Sequence, residues 1–227
     1  MRSTHSARTT TALAGLIFIA HLISSVIASG YAISYAGGFI PARVGNPALL
    51  DHIDLGMPAV PLVLTPLSAT LLHGGWLHLG FNLLILLYCG RQVETVLGRT
   101  LYLILYAAGA YAAAAGQWFL NPQLPIPMIG ASGAISAIIG AYALLFSNSK
   151  VRAIGPIPAS VVRMAWLGAG WVFLQFLIGV ASSSGPGIPG AGSDGIAIGA
   201  HIGGFIAGML LVRPMLKMRF SGAAPTH

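Results

Sequence analysis

The chain has 227 residues, 56% of them hydrophobic and only 7% charged, with a formal net charge of +7. About a quarter of the residues in a soluble domain are charged, so this composition excludes one and indicates a membrane protein. The single cysteine, Cys89, excludes an intrachain disulfide and is read as a small core residue.

A bilayer offers the backbone no water, so repeated apolar runs of about 20 residues are expected to span it as helices. Residues 1–11 form a short polar tail carrying Arg2 and Arg8, and an apolar run over 12–35 follows. That run is long for the apolar core of a cleaved signal peptide, so a retained first helix is expected. His21 within it reads as a packed or interfacial polar residue. Over 37–75, Pro41, Pro47, Pro58, Pro61 and Pro66 interrupt a stretch that also holds Asp51, His52 and Asp54. It is expected to lie in the outer interface as a long, partly helical loop.

A second helix is expected over 76–97, and Gly98-Arg99 turn the chain into a third over 100–120. A proline-rich loop over 121–127 leads to Gly130-Ala131-Ser132-Gly133, at the mouth of a fourth helix over 131–147. The loop over 148–158 carries Lys150 and Arg152, and a fifth helix is expected over 161–180. A Gly- and Pro-rich connection over 182–195 precedes a sixth helix over 196–212. The domain reading is therefore a six-helix membrane domain over 12–213, flanked by the tail 1–11 and a basic tail over 214–227.

Lys and Arg favour the cytoplasmic side. With the N-terminus inside, Arg2, Arg8, Arg91, Arg99, Lys150, Arg152, Arg163, Arg213, Lys217 and Arg219 fall inside or at that edge, and only Arg43 outside. Asp51, Asp54 and Asp194 fall outside. This arrangement accounts for the basic charge without a nucleic-acid partner, and it places both termini in the cytoplasm.

In this topology Ser132 begins the fourth helix at the outer side. His201 lies about 8 Å into the sixth helix, at the same depth. Gly204 and Gly208 share the face of His201, while Ser136 and Gly140 continue the line below Ser132. Facing stripes of small residues let two helices approach closely enough for an imidazole to meet a hydroxyl. Taken alone the serine motif is an ordinary small-residue seam, but a histidine inside a span is a functional candidate. His201 is expected to act as general base for Ser132 in a dyad without a third acid. The Ser132 amide at a helix N-terminus, with His78 and Asn82 at i and i+4 on the second helix, would supply oxyanion donors. His73, ahead of that helix, is expected to order the loop. A metal held by His73, His78 and His201 ranks lower, since no His-Glu-x-x-His pair or suitably placed carboxylate accompanies them. Glu94 reads as structural, capping a loop or pairing with Arg91 or Arg99.

These residues together resemble the rhomboid family of intramembrane serine proteases. His73-Gly-Gly-Trp-Leu-His78-Leu-Gly-Phe-Asn82 resembles the family's second-helix motif. Gly130-Ala-Ser132-Gly133 resembles its nucleophile motif, and Ala200-His201-Ile-Gly-Gly204-Phe-Ile-Ala-Gly208 its last-helix motif. Gly90, Glu94 and Gly98 also fit. The resemblance implies an all-α, six-helix polytopic core that cleaves the transmembrane segment of a protein substrate without a cofactor or metal. It assigns Ser132 as nucleophile, His201 as base, and His78, Asn82 and the Ser132 amide as oxyanion donors. It also implies a preference for a small residue before the scissile bond, for substrate helices that unwind readily, and a mobile cap over 182–195. Three positions depart from the pattern. A Trp-Arg pair is missing from the first outer loop, Ser136 replaces an aromatic residue expected against the histidine, and Val96 stands where a basic residue is frequent.

The expected setting is a bacterial cytoplasmic membrane, with the site opening outward. A non-catalytic binder of transmembrane helices is the second reading, against which Ser132 and His201 count. A small transporter comes third, for want of an inverted repeat or paired intramembrane carboxylates.

Overall fold

The computed structural model describes residues 7–27, 29–146, 152–159, 161–162, 165–166, 168–170 and 197–221. Among them regular structure is entirely helical, apart from two isolated β-bridges. Helix α1 (Arg8–Ile27) is long and apolar enough to cross a membrane, as are α7 (Arg99–Leu120) and α9 (Ile198–Phe220). Between them the chain forms α2 (Gly30–Gly37), α3 (Ala42–Gly45), α4 (Thr65–Ser68), α5 (Trp76–Ile85), α6 (Arg91–Leu97) and α8 (Ser132–Leu145). Apolar helices of this length identify an integral membrane protein. The expected fifth helix falls largely outside the described residues, and the expected cap over 182–195 entirely so.

The first apolar run is two helices rather than one. Ser29 ends the run as a helix N-cap, its Oγ accepting from the Ala32 amide at 3.2 Å, and the Ser-Gly pair at 29–30 is the sequence signal for that break. The first helix also starts at Arg8, four residues earlier than the apolar pattern suggests. Glu94 explains this extension, because its carboxylate accepts from the Thr9 amide at 3.0 Å and from the Thr10 amide and hydroxyl at 2.7 Å each. A buried carboxylate thus satisfies donors that the first turn of α1 leaves open. Glu94 caps a helix, and pairs with neither Arg91 nor Arg99.

The second helix occupies its expected limits but contains a π-turn at Leu86–Gly90 between α5 and α6. Gly90 lies under Tyr102 and Thr10, where an added Cβ would stand 2.6 Å from the Tyr102 hydroxyl. At the end of α6, Gly98 adopts φ +75° and reverses the chain into α7. The last helix runs past Arg213-Pro214 to Phe220, so Arg213, Lys217 and Arg219 belong to α9 and not to a separate basic tail. Arg219 secures the extension by donating from Nη1 to the Val96 carbonyl at 2.6 Å.

Helix α8 has 14 residues, equivalent to about 21 Å of rise against a hydrocarbon core of about 30 Å. It is buried without interruption from Ser132 to Ala141. The consequence is a short rod walled by protein. Its walls are close because glycines face backbone. An added Cβ at Gly204 would strike the Gly133 carbonyl, at Gly208 the Ala137 carbonyl, and at Gly140 the Phe205 carbonyl. Helix α7 joins the same seam: at Gly133 a Cβ would stand 2.5 Å from the Ala113 Cβ, and at Gly109 2.5 Å from the Ala137 Cβ.

The segment over 38–72 packs beside the loop leading to α8. Phe39 and Met128 exchange backbone hydrogen bonds of 3.0 and 2.7 Å, the Ala42 amide donates to the Leu124 carbonyl, and the Gly130 amide donates to the Ala69 carbonyl at 2.8 Å. Arg43, buried among these turns, directs Nη1 and Nη2 at the Val60 carbonyl, 3.4 Å away. Burial lowers its pKa from the usual guanidinium value, while the charge of Asp51 opposes the shift. These contacts anchor the segment in the absence of the Trp-Arg pair.

Candidate active site

Ser132 opens α8 two residues after Gly130, whose φ of +117° gives the chain a sharp turn into the helix. As the first helical residue, Ser132 has an amide with no intrahelical acceptor. From α9, His201 brings Nε2 to 2.9 Å from the Ser132 Oγ. Both side chains are buried. The glycine contacts of α8 and α9 are the reason they meet, since Gly204 lies one turn beyond His201 and seats on the backbone of Gly133. The hydroxyl is therefore within reach of a general base and next to a free helix N-terminus.

The second helix adds the remaining groups. The His78 ring lies over Gly130, where an added Cβ would stand 2.7 Å from Cε1, 2.9 Å from Nε2 and 3.7 Å from the Ser132 Oγ. Imidazole, glycine backbone and hydroxyl thus border one small space. Asn82 is 2% exposed and donates one amide hydrogen to the His78 carbonyl at 2.8 Å. This bond fixes the side chain and leaves its second N–H for another acceptor. His73 accepts from the Ala131 amide through Nε2 at 3.4 Å, so it tethers the residue immediately before Ser132. Gly133 and Gly208 lie in the helix seam, Gly133 against Ala113 and Gly208 one turn deeper against Ala137.

Ser136 is fully buried, and its hydroxyl donates to the Ser132 carbonyl at 2.8 Å. A serine here stabilises the turn beneath Ser132 but presents no aromatic face to His201. Among the described residues, no group of three or more His, Cys, Asp or Glu side chains is arranged to hold a metal. Sequence reading did not find the role of α7 in the seam. Its signal was the small residues Gly109, Ala112, Ala113 and Gly116, spaced three and four apart on one face. His21 is packed, one of the two readings its sequence allowed.

The described geometry resembles serine hydrolase chemistry in arrangement, and comparison with known proteins gives it a family. The Rhomboid domain pattern matches residues 63–218, more than half of the chain. The chain is 32% identical over 143 residues to the mitochondrial rhomboid protein 1 of Saccharomyces cerevisiae, covering 61% of this chain and 38% of that protein. It is 28% identical over 152 residues to the rhomboid protease GluP of Bacillus subtilis, covering 67% and 26% respectively. Rhomboid-related protein 2 of Mus musculus is 30% identical over 173 residues, or 69% of this chain and 52% of its own. The matches thus span about half or less of these relatives' lengths.

Proposed function

The chain belongs to the rhomboid family, and on that premise we propose that it is an intramembrane serine endopeptidase that cleaves transmembrane segments of other proteins. The 2.9 Å approach of His201 Nε2 to Ser132 Oγ carries this reading. The imidazole removes the hydroxyl proton as Oγ attacks the scissile carbonyl, and returns it to the departing amine. Water, deprotonated by the same imidazole, then hydrolyses the acyl-enzyme. Negative charge on the carbonyl oxygen meets the Ser132 amide, His78 and the free N–H of Asn82. In a site screened from bulk water, such prepared donors contribute more than they would in solution.

The chemistry needs neither metal nor cofactor. The substrate is a transmembrane helix that unwinds near the site and presents a small residue before the cleaved bond, and the surrounding partner is membrane lipid rather than nucleic acid. Six spans, cytoplasmic termini and a site opening to the outer side of a bacterial cytoplasmic membrane complete the proposal. The described helices support it through their order and through the burial of α8.

The test incubates purified protein with a transmembrane substrate, beside Ser132→Ala and His201→Ala, with and without a chelator. Cleavage is expected to fall by roughly a thousandfold or more in both variants and to be indifferent to the chelator. A Ser132→Ala protein as active as the parent would remove Ser132 as nucleophile. Substrate bound but left intact by the parent would favour a helix-binding role.

A further inference from the structure

His21 is 4% exposed, projects from a helix that bears none of the groups assigned above, and has no hydrogen-bond partner for either ring nitrogen among the described residues. Buried polar groups in proteins are almost always paired, and an ionisable side chain inside a membrane protein is costly. Its surroundings are specific. The ring meets Trp76 edge-on at a centroid distance of 4.8 Å and His73 at 6.2 Å, both at 90°. His73 in turn lies 5.1 Å from His78. A line of three imidazoles therefore runs from α1 to the space bordered by Gly130 and Ser132.

The hydrogen bonds of His73 give this line a direction. Its Nε2 accepts from the Ala131 amide, so the ring proton is on Nδ1, and that atom is also buried without a partner among the described residues. The backbone of Leu71 bears on the same ring and is the competing acceptor for that proton. An in-line N–H···N bond between two imidazoles would bring their centroids to about 5 Å, whereas one intervening water gives about 6–7 Å. The 6.2 Å separation fits the second case, and the unpartnered nitrogens of the two rings are the polar groups that such a water would join.

We propose that His21 is a positioning residue for the oxyanion pocket: through one bound water it accepts the Nδ1–H of His73, fixing the tautomer by which His73 holds the Ala131 amide. The proposal rests on the protease reading. The Ala131 peptide and the turn at Gly130 set the direction of the Ser132 amide, so releasing His73 lets that donor drift from the oxyanion. Helix α1 thereby contributes to turnover without touching substrate.

The test compares His21→Phe, which keeps a ring against Trp76 but removes both nitrogens, with His21→Gln, which keeps an acceptor. Both are prepared as full-length protein in liposomes. For His21→Phe, kcat is expected to fall about tenfold, the equivalent of one net hydrogen bond, with KM and the thermal midpoint unchanged. His21→Gln is expected to recover to within about threefold of the parent. Nitrogen-15 spectra of His73 should show a single Nδ1–H tautomer in the parent and a mixture in His21→Phe. Parent-like kcat and a parent-like His73 spectrum in His21→Phe would overturn the proposal and pass the tautomer to the Leu71 carbonyl. A loss in His21→Gln equal to that in His21→Phe, with an undisturbed His73 spectrum, would overturn it too. A parent that fails to cleave would refute the protease reading instead, and the His73 spectrum would still decide whether His21 governs that ring.

Discussion

Gly130 concentrates several demands in one residue. Its φ of +117° lies where L side chains are strained, and the His78 ring occupies the direction in which a Cβ would point. Gly130→Ala should therefore displace His78 and tilt the turn into Ser132, lowering kcat about 10- to 100-fold at a strain of about 1–3 kcal/mol. Steady-state kinetics on the folded variant would measure it. Asn82 faces a different demand, since one of its two amide hydrogens is already committed to the His78 carbonyl. Asn82→Ala removes the proposed donor and should lower kcat about 100- to 1,000-fold while leaving KM nearly unchanged. Asn82→Asp supplies acceptors only, so it should be no better than alanine.

Among the elements, α1 and α9 are fastened by contacts remote in sequence. Glu94→Ala would leave the Thr9 and Thr10 amides without their acceptor, a cost of about 1–3 kcal/mol for each buried group. The thermal midpoint should fall while kcat per folded molecule is kept. Gly208→Ala presses a methyl group against the Ala137 carbonyl and should cost about 1–3 kcal/mol through overpacking. It should also lower kcat, because α9 carries His201. Gly80→Ala makes a fair control, as its methyl group meets nothing within 4 Å. The limits of α5 to α8 and the common level of Ser132 and His201 were legible in the sequence, because helical rise and i, i+4 spacing are local rules. Glu94 was legible only as structural, since its partners lie 84 and 85 residues away. The end of α9 was placed too early, at Val212, for a related reason: Arg219 reaches across to Val96, and no local pattern announces that bond.

At the scale of the whole molecule, the apolar helices present their greasy residues outward while polar chemistry is gathered around one end of α8. If that end opens to the outer side as proposed, a Ser132→Cys variant in sealed, right-side-out vesicles should react with a membrane-impermeant maleimide added outside. Buried Cys89 should stay unmodified under the same conditions. Labelling of the Ser132→Cys variant only after the vesicles are made leaky would reverse the assigned orientation.

The enclosure of α8 has a further consequence. Helices α1, α7 and α9 bear exposed apolar side chains, so in the proposed membrane setting thicker or thinner bilayers should tilt these outer rods before they disturb the gap between hydroxyl and imidazole. Rates measured across lipids of different tail length should then vary through access of the substrate, while the reaction of Ser132 with a small water-soluble phosphonylating reagent stays level. The protein provides its own interior solvent for the reacting atoms, whatever oil surrounds it.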